Sequence, residues 1–170
     1  VRTDKVFDMV EKIRKSTSIP MVFMTYANVV FSYGVERFCK KAAEVGMDGM
    51  ILPDVPFEEK EEFASVAEKY GLDLISLIAP TSHERISMIA KEASGFVYCV
   101  SQMGVTGKGA NFHKDIREYL AAVKQTSAIP VMVGFGIRTA KDIEPFEDIV
   151  DGAIVGSNLL RILEESNYSV

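Results

Sequence analysis

The sequence predicts an α/β fold with a parallel sheet, because strand-like and helix-like segments alternate along its 170 residues. Six short apolar runs, rich in β-branched residues, are typical of buried parallel strands. Successive runs are mostly about 22 to 29 residues apart, a spacing typical of βαβ units with right-handed crossovers. The strands are predicted at residues 20–25, 49–52, 74–78, 95–100, 129–133 and 152–155, and the helices between them at 35–45, 58–70, 83–92, 114–125 and 140–148.

A TIM barrel, the (β/α)8 fold, explains this alternation better than an open doubly wound sheet. The chain opens in a helix, with an apolar stripe from Val6 to Ile13 and Thr3 or Asp4 as its N-cap. A complete open sheet would more naturally begin with a strand. A barrel holds eight units in roughly 200–250 residues. We therefore expect residues 1–170 to form a single partial TIM-barrel domain with about six of the eight β/α units, lacking the first two strands and the C-terminal end.

Composition and charge exclude several classes of function. Apolar residues make up 48% of the chain and the net charge is −5, without a cluster of Lys or Arg, so neither nucleic acid nor a membrane is expected as a partner. No apolar run is long enough to span a bilayer. Cys39 and Cys99 are expected to be buried small hydrophobic residues, and His83 and His113 to be surface residues, because none of them has metal-ligand spacing. A cytoplasmic protein without a metal is expected.

Two predicted strands end at glycines in a way that favours phosphate binding. The runs 131–137 and 153–157 stop at Gly136 and Gly156, and Ser157 begins a helix predicted over residues 157–163. Bare backbone N–H groups and the positive end of a helix dipole attract phosphate. In a barrel, the loops after the last two strands are the usual phosphate site. The sequence therefore predicts a small phosphorylated substrate.

The glycine-rich segment 104–109 follows the predicted strand 95–100 and is interpreted as an active-site lid. Its glycines permit hinge motion, and the Gly107 N–H could donate to phosphate. It is not a Walker A loop, because neither the spacing nor the following helix fits. A flexible connector is the alternative.

An apolar slot and one carboxylate are predicted beside the phosphate site. Asp54 directly follows a strand, where it either faces the barrel mouth or caps its own loop. Aromatic and aliphatic side chains at the strand ends could line a ring-sized pocket or simply fill the core. The candidates for the pocket are Met24, Tyr26, Ile51, Ile78, Tyr98 and Phe135.

One family carries this set of motifs in this order. The motifs are MTYAN at 24–28, LPDVP at 52–56, IAP at 78–80, Tyr98 with Ser101, GVTG at 104–107, GFGI at 134–137 and GAIVGS at 152–157. Single motifs of this kind occur in many phosphate-binding barrels. In this order and at these spacings, the chain resembles the α subunit of tryptophan synthase over essentially its whole length.

The resemblance implies a carbon–carbon lyase that cleaves indole-3-glycerol phosphate to indole and glyceraldehyde 3-phosphate. It implies no cofactor in this subunit, and a β-subunit partner that carries pyridoxal phosphate. The phosphate contacts would be Gly107, Gly136, Gly156 and Ser157, and the six pocket candidates would surround the indole.

The resemblance also implies that the two essential carboxylates lie before Val1. The catalytic glutamate and aspartate of the family have no counterpart in this sequence, so no catalytic residue is expected here. Asp54 and Thr106 would be accessory residues, and Gln102 stands where many members have arginine.

Two alternatives remain open from the residues alone. One is another phosphate-binding TIM barrel, an isomerase or epimerase of amino-acid or sugar metabolism. The other is a non-catalytic subunit that binds phosphate or activates a partner, which the lack of a carboxylate pair favours. A strand ending in glutamate upstream of Val1 would discriminate in favour of the lyase.

Overall fold

A computed structural model describes residues 2–100, 110–134 and 136–168, without the side chains of 110–114. Strands and helices alternate, as the sequence predicts. The strands are β1 (Val22–Met24), β2 (Gly49–Ile51), β3 (Asp73–Leu74), β4 (Ser76–Ile78), β5 (Val97–Val100), β6 (Val131–Gly134) and β7 (Gly152–Ile154). The helices are α1 (Thr3–Arg14), α2 (Ala27–Tyr33), α3 (Val35–Glu44), α4 (Glu61–Lys69), α5 (His83–Glu92), α6 (Ala110–Thr126), α7 (Ala140–Ile143) and α8 (Ser157–Glu165). Within these residues, no helix is long and apolar enough to cross a membrane.

The chain divides into two compact units, Val1–Ser76 and Leu77–Val170. The first contains a parallel sheet of order β1-β2-β3, in which Met24 pairs with Ile51. Its core lies between this sheet and the helices around it. The largest fully buried side chains of this core are Phe7, Met50, Val30 and Cys39. The ring centroids of Phe7 and Phe38 lie 5.3 Å apart, so part of this core is an aromatic cluster.

The second unit is built on a parallel sheet of order β4-β5-β6-β7. In its register, Val100 pairs with Gly134 and Gly134 pairs with Ile154. The apolar stripes of α5 and α6 are buried, as are the central strands. The fully buried side chains here include Ile78, Val97, Cys99, Leu120, Val123, Val131, Val133 and Phe146.

An aspartate fastens the amino ends of two strands in the first unit. The Asp48 carboxylate accepts from the Met21 N–H at 2.7 Å, and the Asp48 N–H donates to the Met21 carbonyl at 2.8 Å. Arg14, at the end of α1, pairs with the same carboxylate at 2.8 Å. The side chain of Arg14 also donates to the carbonyl oxygens of Ile19 and Gly46. Helix, strand and loop are thereby joined before the sheet begins.

The same arrangement occurs in the second unit. The Asp151 carboxylate accepts from the Val131 N–H at 2.7 Å, and the Asp151 N–H donates to the Val131 carbonyl at 2.8 Å. Lys124, near the end of α6, pairs with this carboxylate at 2.6 Å. The ion pair with Lys124 and the Val131 N–H lower the pKa of Asp151. Arg14 and Lys124 each lie five residues before an Ile-Pro pair, and both aspartates directly precede a glycine. This arrangement of cation, strand and aspartate therefore has a sequence signature.

Several predicted boundaries are wrong in detail. The predicted strand 74–78 is two strands, β3 and β4, which belong to different sheets. The N-cap of α1 is Arg2 rather than Thr3 or Asp4. The predicted helix 140–148 is α7 followed by a 3-10 turn, Glu144–Phe146, because Pro145 cannot donate a helical hydrogen bond. Helix α2 is not predicted by the sequence pattern.

Candidate functional site

Asp54, the predicted mouth carboxylate, holds the beginning of α2. Its two carboxylate oxygens lie 3.0 and 3.1 Å from the Ala27 nitrogen, which donates to them. Because a carboxylate at a helix N-terminus satisfies an unpaired N–H and favours the dipole, this contact stabilises α2. The same contact joins the segment that follows β2 to the segment that follows β1. Asp54 therefore has a structural partner 27 residues away, and it is exposed.

Three predicted pocket residues lie at the carboxyl ends of the strands in the first unit. Met24 and Ile51 are register partners, but Met24 is 57% exposed and Ile51 is buried. Tyr26 is the N-cap residue of α2 and is 63% exposed. A large exposed tyrosine and methionine at the carboxyl ends of strands are available for contact with a ligand.

Tyr98 and Gly134 form a close contact in the second unit. A Cβ atom built on Gly134 would lie 2.4 Å from Cε2 and 2.6 Å from the hydroxyl oxygen of Tyr98. The tyrosine ring therefore occupies the space that any side chain at position 134 would need. Tyr98 is 7% exposed, and burial raises the pKa of its hydroxyl. Ile78, the other predicted pocket residue that the structure describes in this unit, is fully buried at the end of β4.

The loops after β6 and β7 contain the predicted phosphate contacts. Gly136 has a φ of +74°, a left-handed conformation that favours glycine. Gly156 is the N-cap of α8, and a Cβ built on it would meet nothing within 4 Å. Ser157 begins this helix of nine residues, whose first N–H groups have no acceptor within the helix, apart from the Leu159 N–H, which donates to the Gly156 carbonyl at 2.9 Å.

A side chain that sequence reasoning missed joins these two loops. Asn158 donates from Nδ2 to the Arg138 carbonyl oxygen at 2.8 Å, which ties the start of α8 to the chain that follows Gly136. An asparagine directly after a Gly-Ser pair at a helix start is the signal that could have indicated it. The arrangement brings Gly136, Gly156 and Ser157 onto connected segments, and backbone donors there can bind an anion without a charged side chain.

The remaining candidates lie outside the described residues. These are Gln102, Thr106, Gly107 and Phe135, together with the lid segment 104–109. His83 is exposed, as predicted. It lines a cleft of about 480 Å³ between α5 and α6, together with Ser87 and Glu118. No predicted site residue lines this cleft. Among the residues with described positions, no group of three or more His, Cys, Asp and Glu side chains could hold a metal ion.

The two cysteines are buried and unreactive in character. Burial raises the pKa of Cys39 to about 11 and that of Cys99 to about 12. Both thiols are therefore protonated at neutral pH, and neither is a nucleophile.

The family profile and the curated relatives that match this sequence carry the same description. The family profile described as "Tryptophan synthase alpha chain" matches residues 1–169. A tryptophan synthase alpha chain from Lachnospira eligens is 58% identical over 167 residues, covering 96% of this chain and 63% of the relative. One from Lacticaseibacillus casei is 45% identical over 163 residues, covering 96% of this chain and 61% of the relative. The chain thus spans less than two thirds of the length of these relatives.

Solved structures agree as well. Tryptophan synthase subunit alpha from Campylobacter jejuni superimposes with a TM-score of 0.87 at 32% identity, covering 96% of this chain and 66% of that one. A chain of the tryptophan synthase α2β2 complex from Pyrococcus furiosus gives 0.84 at 29% identity, covering 99% and 68%. The fold class is that of a TIM barrel, of which this chain covers a part. By profile, sequence and structure, the chain belongs to the tryptophan synthase alpha chain family.

Proposed function

We propose that this chain provides the substrate-binding part of an enzyme subunit that cleaves indole-3-glycerol phosphate to indole and glyceraldehyde 3-phosphate. The reaction takes place in the cytoplasm, and the indole passes to a β subunit that carries pyridoxal phosphate. The observation that carries the proposal is the pair of connected loops after β6 and β7. Gly136 has a left-handed backbone, Gly156 is the N-cap of a helix of nine residues and Ser157 begins that helix, so the proposal assigns the phosphate to their N–H groups.

The aromatic part of the substrate fits the remaining candidates. Tyr98 packs over Gly134 in the same sheet whose next loops contain the phosphate donors, so a ring and a phosphate could be bound by neighbouring strands. In this proposal Tyr98 binds the ring and excludes water from it. Asp54 is the single carboxylate among the described candidate residues, so they include no acid/base pair. We therefore propose that residues 1–170 bind this substrate without cleaving it.

Binding is tested with glycerol 3-phosphate by isothermal titration. Gly156→Val is the informative variant, because its new side chain would occupy the open space beside the donors while contacting no other atom of the described protein within 4 Å at Cβ. We expect it to abolish binding. Ser157→Ala removes only a hydroxyl and should weaken binding by about 1 kcal/mol. Gly136→Val is a poorer test, since its φ of +74° would strain any β-branched residue. Unchanged affinity in Gly156→Val would refute the phosphate assignment.

Turnover is tested by adding an N-terminal segment that carries the two carboxylates implied by the family resemblance. Residues 1–170 alone are expected to show no cleavage, because losing a general acid or base costs about two to four orders of magnitude for each role. An N-terminal extension taken from the Lachnospira eligens relative should restore cleavage, which is measured by coupled oxidation of glyceraldehyde 3-phosphate. The same extension with its glutamate and aspartate changed to the amides is the matched control. Near-native turnover by the 170 residues alone would refute this division of roles.

A further inference from the structure

The hydroxyl of Tyr119 reaches from helix α6 to the end of a strand. Its oxygen donates to the carbonyl oxygen of Ile78, the last residue of β4. Tyr119 is 6% exposed and Ile78 is fully buried, so water does not compete for this bond. A buried carbonyl without a partner costs about 1–3 kcal/mol, which makes the contact a strong constraint on the backbone there.

The groups around this hydroxyl keep it a donor. Burial is the main cause that raises the pKa of Tyr119, and the neighbouring Cys99 thiol raises it further. Cys99 is itself fully buried in β5, the strand next to β4. Burial and the Cys99 thiol therefore both favour the protonated hydroxyl, the form that donates to the Ile78 carbonyl oxygen.

The bond lies at the end of a short strand that is paired with β5. β4 has three residues, and the same stretch of chain changes partner just before it, since the Ile75 N–H donates to the Met50 carbonyl of β2. Ile78 is the point at which this strand ends and the chain leaves the sheet. The Tyr119 hydroxyl, on the helix layer, therefore anchors the backbone at the carboxyl end of β4.

We propose that Tyr119 is a positioning residue that fixes the carboxyl end of β4 beside the aromatic half of the ligand. This inference rests on the proposed function, because it requires a ring-bearing phosphate ester as ligand. Tyr119 lies on the helix layer and does not touch the substrate. The phosphate donors follow β6 and β7, the two strands farthest from β4 in the four-stranded sheet. Losing the Tyr119 hydroxyl should therefore affect ring binding and leave phosphate binding unchanged.

The test compares two ligands on the Tyr119→Phe variant of the full chain. Indole-3-propanol phosphate carries ring and phosphate, and glycerol 3-phosphate carries only the phosphate end. We expect Tyr119→Phe to weaken the first by about tenfold and to change the second by less than about twofold. Tyr70→Phe is the matched control, since its hydroxyl bonds to Glu36 in the other unit, and both affinities should stay unchanged.

A second variant covers the case in which Tyr119→Phe fails to fold. Ile78→Val keeps the backbone and removes one methylene from the buried side chain at the carboxyl end of β4, and it should give the same selective loss of the indole ligand. Equal weakening of both ligands, or no weakening of either, in the folded variant would overturn the positioning role. If the unchanged chain binds glycerol 3-phosphate and not the indole ligand, the proposed substrate is wrong and this inference falls with it.

Discussion

The contact between Tyr98 and Gly134 makes a quantitative prediction for the substitution Gly134→Ala. The new Cβ would lie 2.4 Å from the ring, whereas ordinary contacts begin near 3.4 Å, so the ring must move by about 1 Å. Tyr98 lies in β5 and is 93% buried, so little free space is available. Overpacking of this kind costs about 1–3 kcal/mol of unfolding free energy. Urea unfolding followed by far-UV circular dichroism measures it, because the chain has no tryptophan.

A double-mutant cycle identifies the cause of that loss. If the ring is what the new methyl group meets, Gly134→Ala should cost at least about 1 kcal/mol less in a Tyr98→Leu background. Gly152→Ala is the control, since its Cβ would meet the sulfur of Met132, at 2.7 Å, in a side chain that can rotate away. Additive effects of the Gly134 and Tyr98 substitutions, or a Gly134→Ala variant as stable as the parent, would refute the packing argument.

Three further predictions concern other parts of the molecule. Gly49→Ala should destabilise the chain more than Gly134→Ala, and Asp73→Ala should not rescue it, because the new Cβ would lie 2.4 Å from the Asp73 backbone carbonyl; urea midpoints of the single and double variants decide this. Asp151 has a lowered pKa in the folded state, so it stabilises the fold above its unfolded pKa and loses that contribution as pH falls through the folded one. Asp151→Asn should therefore lower the urea midpoint at pH 7 and flatten its decline below about pH 4; a parallel shift at all pH values would contradict this. Cys39 and Cys99 should not react with Ellman's reagent at pH 8 until the chain is unfolded, and rapid modification of the native protein would show that they are not buried.

The fold could be predicted from the sequence wherever local pattern determined the structure. Apolar runs that end in glycine predicted the positions of β6 and β7 to within about two residues. The division of residues 74–78 into β3 and β4 could not be predicted, because a change of partner strand depends on contacts far along the chain. Helix α2 was missed for a similar reason: the acceptor that satisfies its first N–H is Asp54, 27 residues away.

The candidate site shows the same limit. Gly136 and Gly156 were selected from their place after apolar runs, and their role as phosphate contacts stays a prediction. Tyr119 could have been noticed, since it occupies the buried stripe of α6 between Ile116 and Val123, and a buried tyrosine requires a partner for its hydroxyl. That the partner is Ile78, 41 residues away, is a property of the folded chain alone.

Asp48 and Asp151 stabilise the strand pairs at the end of each sheet opposite to the candidate ligand-binding residues. Asp48 and Asp151 act where strands begin, whereas the candidate ligand-binding residues lie where strands end. Each arrangement uses only groups of its own unit, so each strand pair is fastened independently of the loops that follow it. We therefore expect that loops at the carboxyl ends can be exchanged while Arg14, Lys124 and their aspartates continue to hold the strands.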